Sequence, residues 1–287
     1  MAHERLNRGK QDSEQTDEFK KWLLKLRRPV ILGMGASLFT VSLLLARNAM
    51  LEGLWFGLLG GILVGPVMHY LLGKVLIPLG FGRVWCGWAC WTAALLDQLP
   101  YRQSPHHLGP SWARLRYGVF ALSLALVLVA WFGFGYREGA VGQSAAYWFM
   151  MSALVYWGLG VGMALAFKDN RAFCKYLCPN TVIFKQTARL SLFKVAGEAQ
   201  ACLECPSQAC LPMCPMDIRI PDYIQEGKRV LSTECIQCQA CVAICPSNTL
   251  KLSAGLDLGG EELLQTRDFV VQWHNRWKQR KSKKAGS

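Results

Sequence analysis

Apolar residues dominate four stretches in the first two thirds of the chain, roughly Val30–Ala46, Leu54–Gly73, Tyr117–Gly135 and Ala145–Phe167. Each approaches the ~20 residues a helix needs to cross a bilayer. Glycine and other small residues are frequent in them, which lets membrane helices approach closely. One such stretch fits a buried helix of a soluble protein equally well. Four in succession predict a bundle of four transmembrane helices.

The polar segments between them set an orientation. Lys20, Lys21, Lys25, Arg27 and Arg28 precede the first stretch, and Lys74, Arg83, Arg102, Arg114 and Arg116 fall in the long middle segment. The two short loops carry only Arg47 and Arg137. Because Lys and Arg are retained on the cytoplasmic side, both termini and the middle segment are expected there. Residues 1–18 read as disordered, with no apolar core of a cleavable leader. Residues 19–28 mix cations with Trp22 and leucines, which suits either a short interfacial helix or a flank of the first span.

Composition sharpens this picture. Of 287 residues 52% are hydrophobic and only 18% charged, against about 25% charged in ordinary soluble domains. The net charge is +13. Nucleic acid and anionic lipid both attract such a chain; here the cations flank apolar runs, so lipid is the expected partner and nucleic acid is not.

Twelve cysteines fall in short-spaced groups, unlike the frameworks of small secreted disulfide proteins. The most specific group is Cys235-x2-Cys238-x2-Cys241-x3-Cys245 followed by Pro246, the run of bacterial ferredoxins. A second run, Cys202-x2-Cys205-x4-Cys210-x3-Cys214 before Pro215, has a middle gap two residues longer, so its loop is expected to be enlarged. The fourth Cys of such a run ligates the other cluster in two-cluster ferredoxins. One [4Fe–4S] cluster is therefore expected on Cys235, Cys238, Cys241 and Cys214, the other on Cys202, Cys205, Cys210 and Cys245. Zinc is the rival, but zinc sites favour paired or mixed Cys/His ligands, and no histidine lies between 179 and 273.

The membrane half repeats itself. Arg83-x-Trp85-Cys86-x3-Cys90 follows the second apolar stretch, and Arg171-x-Phe173-Cys174-x3-Cys178 follows the fourth. Two parallel units related by an axis along the membrane normal would bring the four cysteines together. They are candidates for an iron or iron–sulfur site, another soft metal or a redox-active thiol set; packed free thiols are the bland alternative. Haem is disfavoured, since only His69 lies in the spans and no Cys-x2-Cys-His occurs. His69, polar inside lipid, suits either a quinone or an interhelical hydrogen bond. Glu52 and Glu138 are expected near the outer face, as solvated charges or proton acceptors.

With these motifs in view, the chain resembles the NapH/MauN ferredoxin-type membrane proteins, with relatives in the membrane portion of the NosR regulator and the CcoG-type proteins. The resemblance spans about residues 20–250. It implies a quinol dehydrogenase or electron-transfer membrane subunit, working between the quinone pool and an iron–sulfur or cytochrome partner. It matches Cys86, Cys90, Cys174 and Cys178 to two membrane-edge motifs and the eight cysteines Cys202 to Cys245 to cluster ligands. One departure is Trp91, where the family has proline.

The expected organisation is a mainly α membrane protein with a small α+β two-cluster ferredoxin-like domain. Residues 1–28 form the N-terminal segment, 29–179 the membrane domain, 180–200 a linker, 201–252 the cluster domain and 253–287 a basic tail with Trp273 and Trp277. The expected location is a bacterial inner membrane. A metal-reducing or cofactor-assembly factor is the rival function, and a redox sensor a more distant one.

Overall fold

A computed structural model describes residues 22, 25–101, 108–109, 111–205 and 207–266. The expectations for residues 1–18 and for Trp273 and Trp277 lie outside them.

The chain is mostly helical. Helix α1 covers residues 25–44, α2 Leu51–Leu59, and α3 Leu63–Phe81. Two short helices follow, α4 (Val84–Trp88) and α5 (Trp91–Leu96). Then come α6 (Trp112–Gly133), α7 (Gln143–Phe167), α8 (Ala172–Tyr176) and α9 (Asn180–Ala188). Among the described residues, α3, α6 and α7 are long and apolar enough to cross a membrane. Helix α1 packs beside them: the Phe39 ring lies 4.9 Å from Phe149 of α7 and 5.0 Å from Trp157.

The second apolar stretch is not one helix. The chain breaks after Leu59, with Gly61 at φ +66° and Gly65 at φ +100°, and Val64 is extended. Glycine reaches these left-handed conformations at little cost, and Pro66 then starts a fresh turn because its missing N–H is not needed there. The apolar run therefore divides into α2 and a displaced α3, whose apolar residues continue to Phe81. Asn48 anchors the turn that enters α2. It is fully buried, its side-chain amide donates to the Gly139 carbonyl (3.2 Å), and its Oδ1 accepts from the Met50 N–H (3.1 Å).

Glu52, in the first turn of α2, lies inside. Glu52 is 7% exposed, and its carboxylate accepts a hydrogen bond from the Tyr156 hydroxyl (3.3 Å). It is not a solvated loop charge. Glu138 is exposed and accepts from Ser144.

Three cations counted toward the orientation also lie inside. Lys74, Arg83 and Arg116 are 3%, 0% and 1% exposed, and they serve internal partners described below.

Residues 180–200 join the membrane helices to the cluster unit through regular elements. They hold α9, strand β1 (Phe193–Ala196) and the start of α10 (Ala199–Leu203). Strand β1 pairs antiparallel with β2 (Lys251–Ala254), Phe193 opposite Ala254 and Ala196 opposite Lys251. Between them lie α11 (Cys210–Met213), α12 (Ile220–Gln225) and α13 (Ala240–Ile244). Residues 255–266 wrap this unit: Asp257 pairs with Lys194 (2.5 Å) and Arg229 (2.6 Å), and the Gln265 amide donates to the Leu211 carbonyl (2.8 Å). Its core joins Val195, Ile218, Ile220, Tyr223, Ile224 and Ile236 to buried cysteines, and Cys86 of α4 belongs to the same cluster.

Candidate functional site

The two Arg-x-aromatic-Cys-x3-Cys segments fold alike. After α3 and after α7 the chain makes one short helix, α4 or α8, carrying the first cysteine. In the first copy the N–H groups of Ala89 and Cys90 both bond the Trp85 carbonyl (3.0 and 3.0 Å); in the second, Leu177 and Cys178 both bond the Phe173 carbonyl (2.9 and 2.9 Å). Trp91 in place of proline leaves this turn unchanged. Its ring instead packs on Phe149 (5.7 Å) and on His69 (6.2 Å).

The copies are tied to each other. Arg171 of the second donates to the Cys86 carbonyl of the first (3.1 Å) and to Asp97 beyond α5 (2.6 Å). Cys86, Cys90, Cys174 and Cys178 then line one cavity, with Lys74, Trp85, Tyr156 and Phe173 in its walls. Burial pushes the Cys174 thiol up to about 11, although the Arg171 guanidinium beside it pulls the other way. The sequence signal for Arg171 was its place in the repeat; its reach into the other copy was not legible.

The other eight cysteines divide into two sets. Cys214, Cys235, Cys238 and Cys241 line a second cavity, between Val195, Met216 and Ile218 on one side and Ile236 on the other. Cys202, Cys205, Cys210 and Cys245 lie close enough to act on one another's charge. Each fourth cysteine thus sits with the run it does not belong to. Cys241 also feels Cys210, so the two sets are neighbours.

Backbone amides point at these sulfurs. Cys214 Sγ accepts from the Ile218 N–H (3.4 Å), and Cys245 Sγ lies 3.4 Å from the Ser247 hydroxyl. Burial alone would raise the Cys245 thiol, but that hydroxyl and the amides of residues 247, 249 and 250 hold it below the ordinary value. Gln237 and Gln239, between the cysteines of the 235–241 run, are left-handed at φ +53° and +59°. Such residues turn successive N–H groups into a concavity that receives anions. Burial drives the Cys235 and Cys210 thiols up to about 12, which the thiolates of a loaded cluster offset by bonding iron.

Among the described residues, no three His, Cys, Asp or Glu side chains meet at a single-ion site. A cubane asks for a different arrangement, four thiolates spread around a block of iron and sulfide. Four-cysteine cavities with inward amides fit it.

The first cavity is fastened to the 235–241 loop. Arg83 and Arg116 donate to Glu234, directly before Cys235, at 2.6 and 2.8 Å, and Lys185 joins at 2.8 Å. The Trp88 indole donates to the Gln237 carbonyl (2.9 Å). A Cβ on Gly87 would stand 2.3 Å from the Ile236 carbonyl oxygen, so α4 touches the loop backbone directly.

Comparison with known proteins bears on this arrangement. A 4Fe–4S binding domain model matches residues 54–102 and 149–196, the two repeat copies. A model described as dihydropyrimidine dehydrogenase domain II, 4Fe–4S cluster, matches residues 180–231, which include the run with the longer gap. The ferredoxin-type protein NapH of Haemophilus influenzae is 26% identical over 223 residues, covering 67% of this chain and 70% of NapH. The chain is a homologue of the NapH-type ferredoxin proteins.

Two other relatives match as well. YccM of Escherichia coli, provisionally named an electron transport protein, is 36% identical over 85 residues, covering 29% of this chain and 22% of YccM. An uncharacterized protein of Methanocaldococcus jannaschii, MJ0749, is 27% identical over 233 residues, covering 74% of this chain and 84% of its own length. No solved structure matches. The chain is an iron–sulfur electron-transfer protein with apolar helices suited to a membrane.

Proposed function

We propose that the protein is a multi-pass subunit of a bacterial inner membrane, with both termini cytoplasmic, that exchanges electrons between the quinone pool and an iron–sulfur or cytochrome partner. In this reading α1 joins α3, α6 and α7 as a fourth membrane helix. One [4Fe–4S] cluster is held by Cys235, Cys238, Cys241 and Cys214, and one by Cys202, Cys205, Cys210 and Cys245. Cys86, Cys90, Cys174 and Cys178 hold a further iron or iron–sulfur centre.

The observation that carries this reading is the shared wall. Cys86 of the membrane-edge cavity lies in one core with Ile236 and Cys241. The thiolate sets follow in order from membrane edge to the 214/235/238/241 set to the 202/205/210/245 set. When bound, iron–sulfur clusters supply one-electron storage; the chain contributes burial and N–H···S bonds that set their potentials.

Quinone chemistry needs proton-handling groups as well. Among the described residues the buried Nε2 of His69 finds no hydrogen-bond partner, and its ring lies 5.2 Å from Trp85 of the cavity wall. Tyr156, also in that wall, is bonded to Glu52. These groups supply hydrogen bonds and a proton acceptor beside the edge cysteines.

Liposomes carrying the anaerobically purified chain and a quinol are the test. Cluster reduction or oxidation in exchange with the quinone is expected by visible and EPR spectroscopy. Clusters that stay inert to quinones, while added copper is reduced, would select the metal-handling alternative.

The ligand assignment makes its own prediction. Cys214→Ser is expected to perturb the spectrum of the cluster on the 235–241 run and leave the 202–210 cluster intact, although Cys214 belongs by sequence to the latter run. Loss of the 202–210 cluster instead would refute the exchange of fourth ligands.

A further inference from the structure

We infer that Lys74 is the built-in counter-charge for an anionic, thiolate-ligated group in the membrane-edge cavity, and that it raises the reduction potential of that group. The inference rests on the reading that the four edge cysteines hold a metal centre.

Lys74 lies in the second half of α3 and is 3% exposed. A lysine there would ordinarily extend its stem along apolar surface and leave its ammonium among headgroups. Here the ammonium turns inward. It lies 4.1 Å from the Trp85 ring centroid, 5.2 Å from Phe184 and 5.8 Å from both Tyr70 and Trp91. Lys74, Trp85, Trp91 and Phe184 all line the cavity of the four cysteines.

The neighbouring cations are already matched. Arg83 is paired with Glu234, Arg171 with Asp97, and Lys175 with Asp169 and Asp217. Among the described residues, no carboxylate comes within ion-pair distance of Lys74; Glu52 is engaged by Tyr156 instead. Aromatic faces attract a cation, but they recover less than the burial of an ammonium costs. The missing anion has one place to be, the cavity that the ammonium borders. Thiolates on iron supply it.

A fixed positive charge favours whichever oxidation state of a neighbouring centre is more negative. That is the reduced state, so Lys74 raises the midpoint. The same charge weakens the metal-free protein, in which no anion answers it. These opposite effects separate a counter-charge from a lysine that only packs.

The test uses the full chain, purified anaerobically, as wild type, Lys74→Met, Lys74→Gln and Lys74→Arg. Iron and acid-labile sulfide are counted, each centre is titrated by EPR, and thermal melting is followed after chelator stripping. The neutral variants are expected to lower the edge-centre midpoint by at least 59 mV, a tenfold change for one electron, or to lose edge iron outright. The other two centres keep their midpoints, and Lys74→Arg keeps wild-type behaviour. Stripped Lys74→Met is expected to melt above stripped wild type. An edge centre that stays loaded with an unmoved midpoint in both neutral variants overturns the counter-charge. A wild type with no edge iron beyond two clusters overturns the metal reading, and the counter-charge with it.

Discussion

Gly87→Ala is expected to unseat the loop that carries Cys235, Cys238 and Cys241. In an isolated helix this change is favourable by about 1 kcal/mol, and Gly87 lies inside α4. Contact reverses the sign. The new Cβ would stand 2.3 Å from the Ile236 carbonyl oxygen and 3.5 Å from the Cys238 nitrogen. Both are backbone atoms, which cannot swing aside like the end of a flexible side chain. Overpacking of this kind costs about 1–3 kcal/mol, and here relief comes by moving the loop. The variant should retain its membrane-edge centre and lose most of the iron of the adjoining cluster, read as the EPR signal of that cluster per chain. A variant with full iron, or one that is simply more stable, would show that α4 and the loop do not press on each other.

Glu234→Ala is expected to be among the most destabilising single changes in the protein. The carboxylate is 3% exposed and serves Arg83, Arg116 and Lys185 together. Removing one partner of a buried ion pair costs about 3–5 kcal/mol, because the remaining charge is stranded; here two buried guanidiniums would be. Thermal melting in detergent measures it. The pH dependence follows from the same site. Burial by itself would raise the Glu234 carboxyl, but the three cations win and hold it well below the usual carboxylate range. A depressed group stabilises the fold above the unfolded value of about 4.3, and this contribution is lost as pH falls through the folded value. Glu234→Gln should therefore lie furthest below wild type at neutral pH, with the gap holding to about pH 5 and closing as the medium becomes more acid. A gap that is constant from neutral to strongly acid conditions would mean that the carboxylate charge is not what the arginines need.

What could be read from the sequence was the chemistry that repeats at short range. Cys86 and Cys90, Cys174 and Cys178, and the two ferredoxin-like runs each announce themselves within a few residues. The grouping of Cys214 with the 235–241 run follows from a general habit of such runs. Long-range pairing was out of reach. Arg83 and Glu234 are 151 residues apart, and nothing local tells a buried guanidinium from one at a headgroup. Lys74, Arg83 and Arg116 therefore entered the orientation argument as surface charges, although each is inside. The break in the second apolar stretch was missed for a related reason. Average hydropathy is blind to a break, and the signal lay in Gly60, Gly61, Gly65 and Pro66 rather than in the apolar residues around them. Strand β1 had no local signal either, since its partner β2 lies more than fifty residues later.

The bond from Arg171 to the Cys86 carbonyl means that neither half of the membrane region completes its own socket. The link runs one way, since Arg83 of the first copy turns to Glu234 rather than to the second copy. Severing the chain in the stretch between α5 and α6 would accordingly leave fragments that must meet again before either is whole.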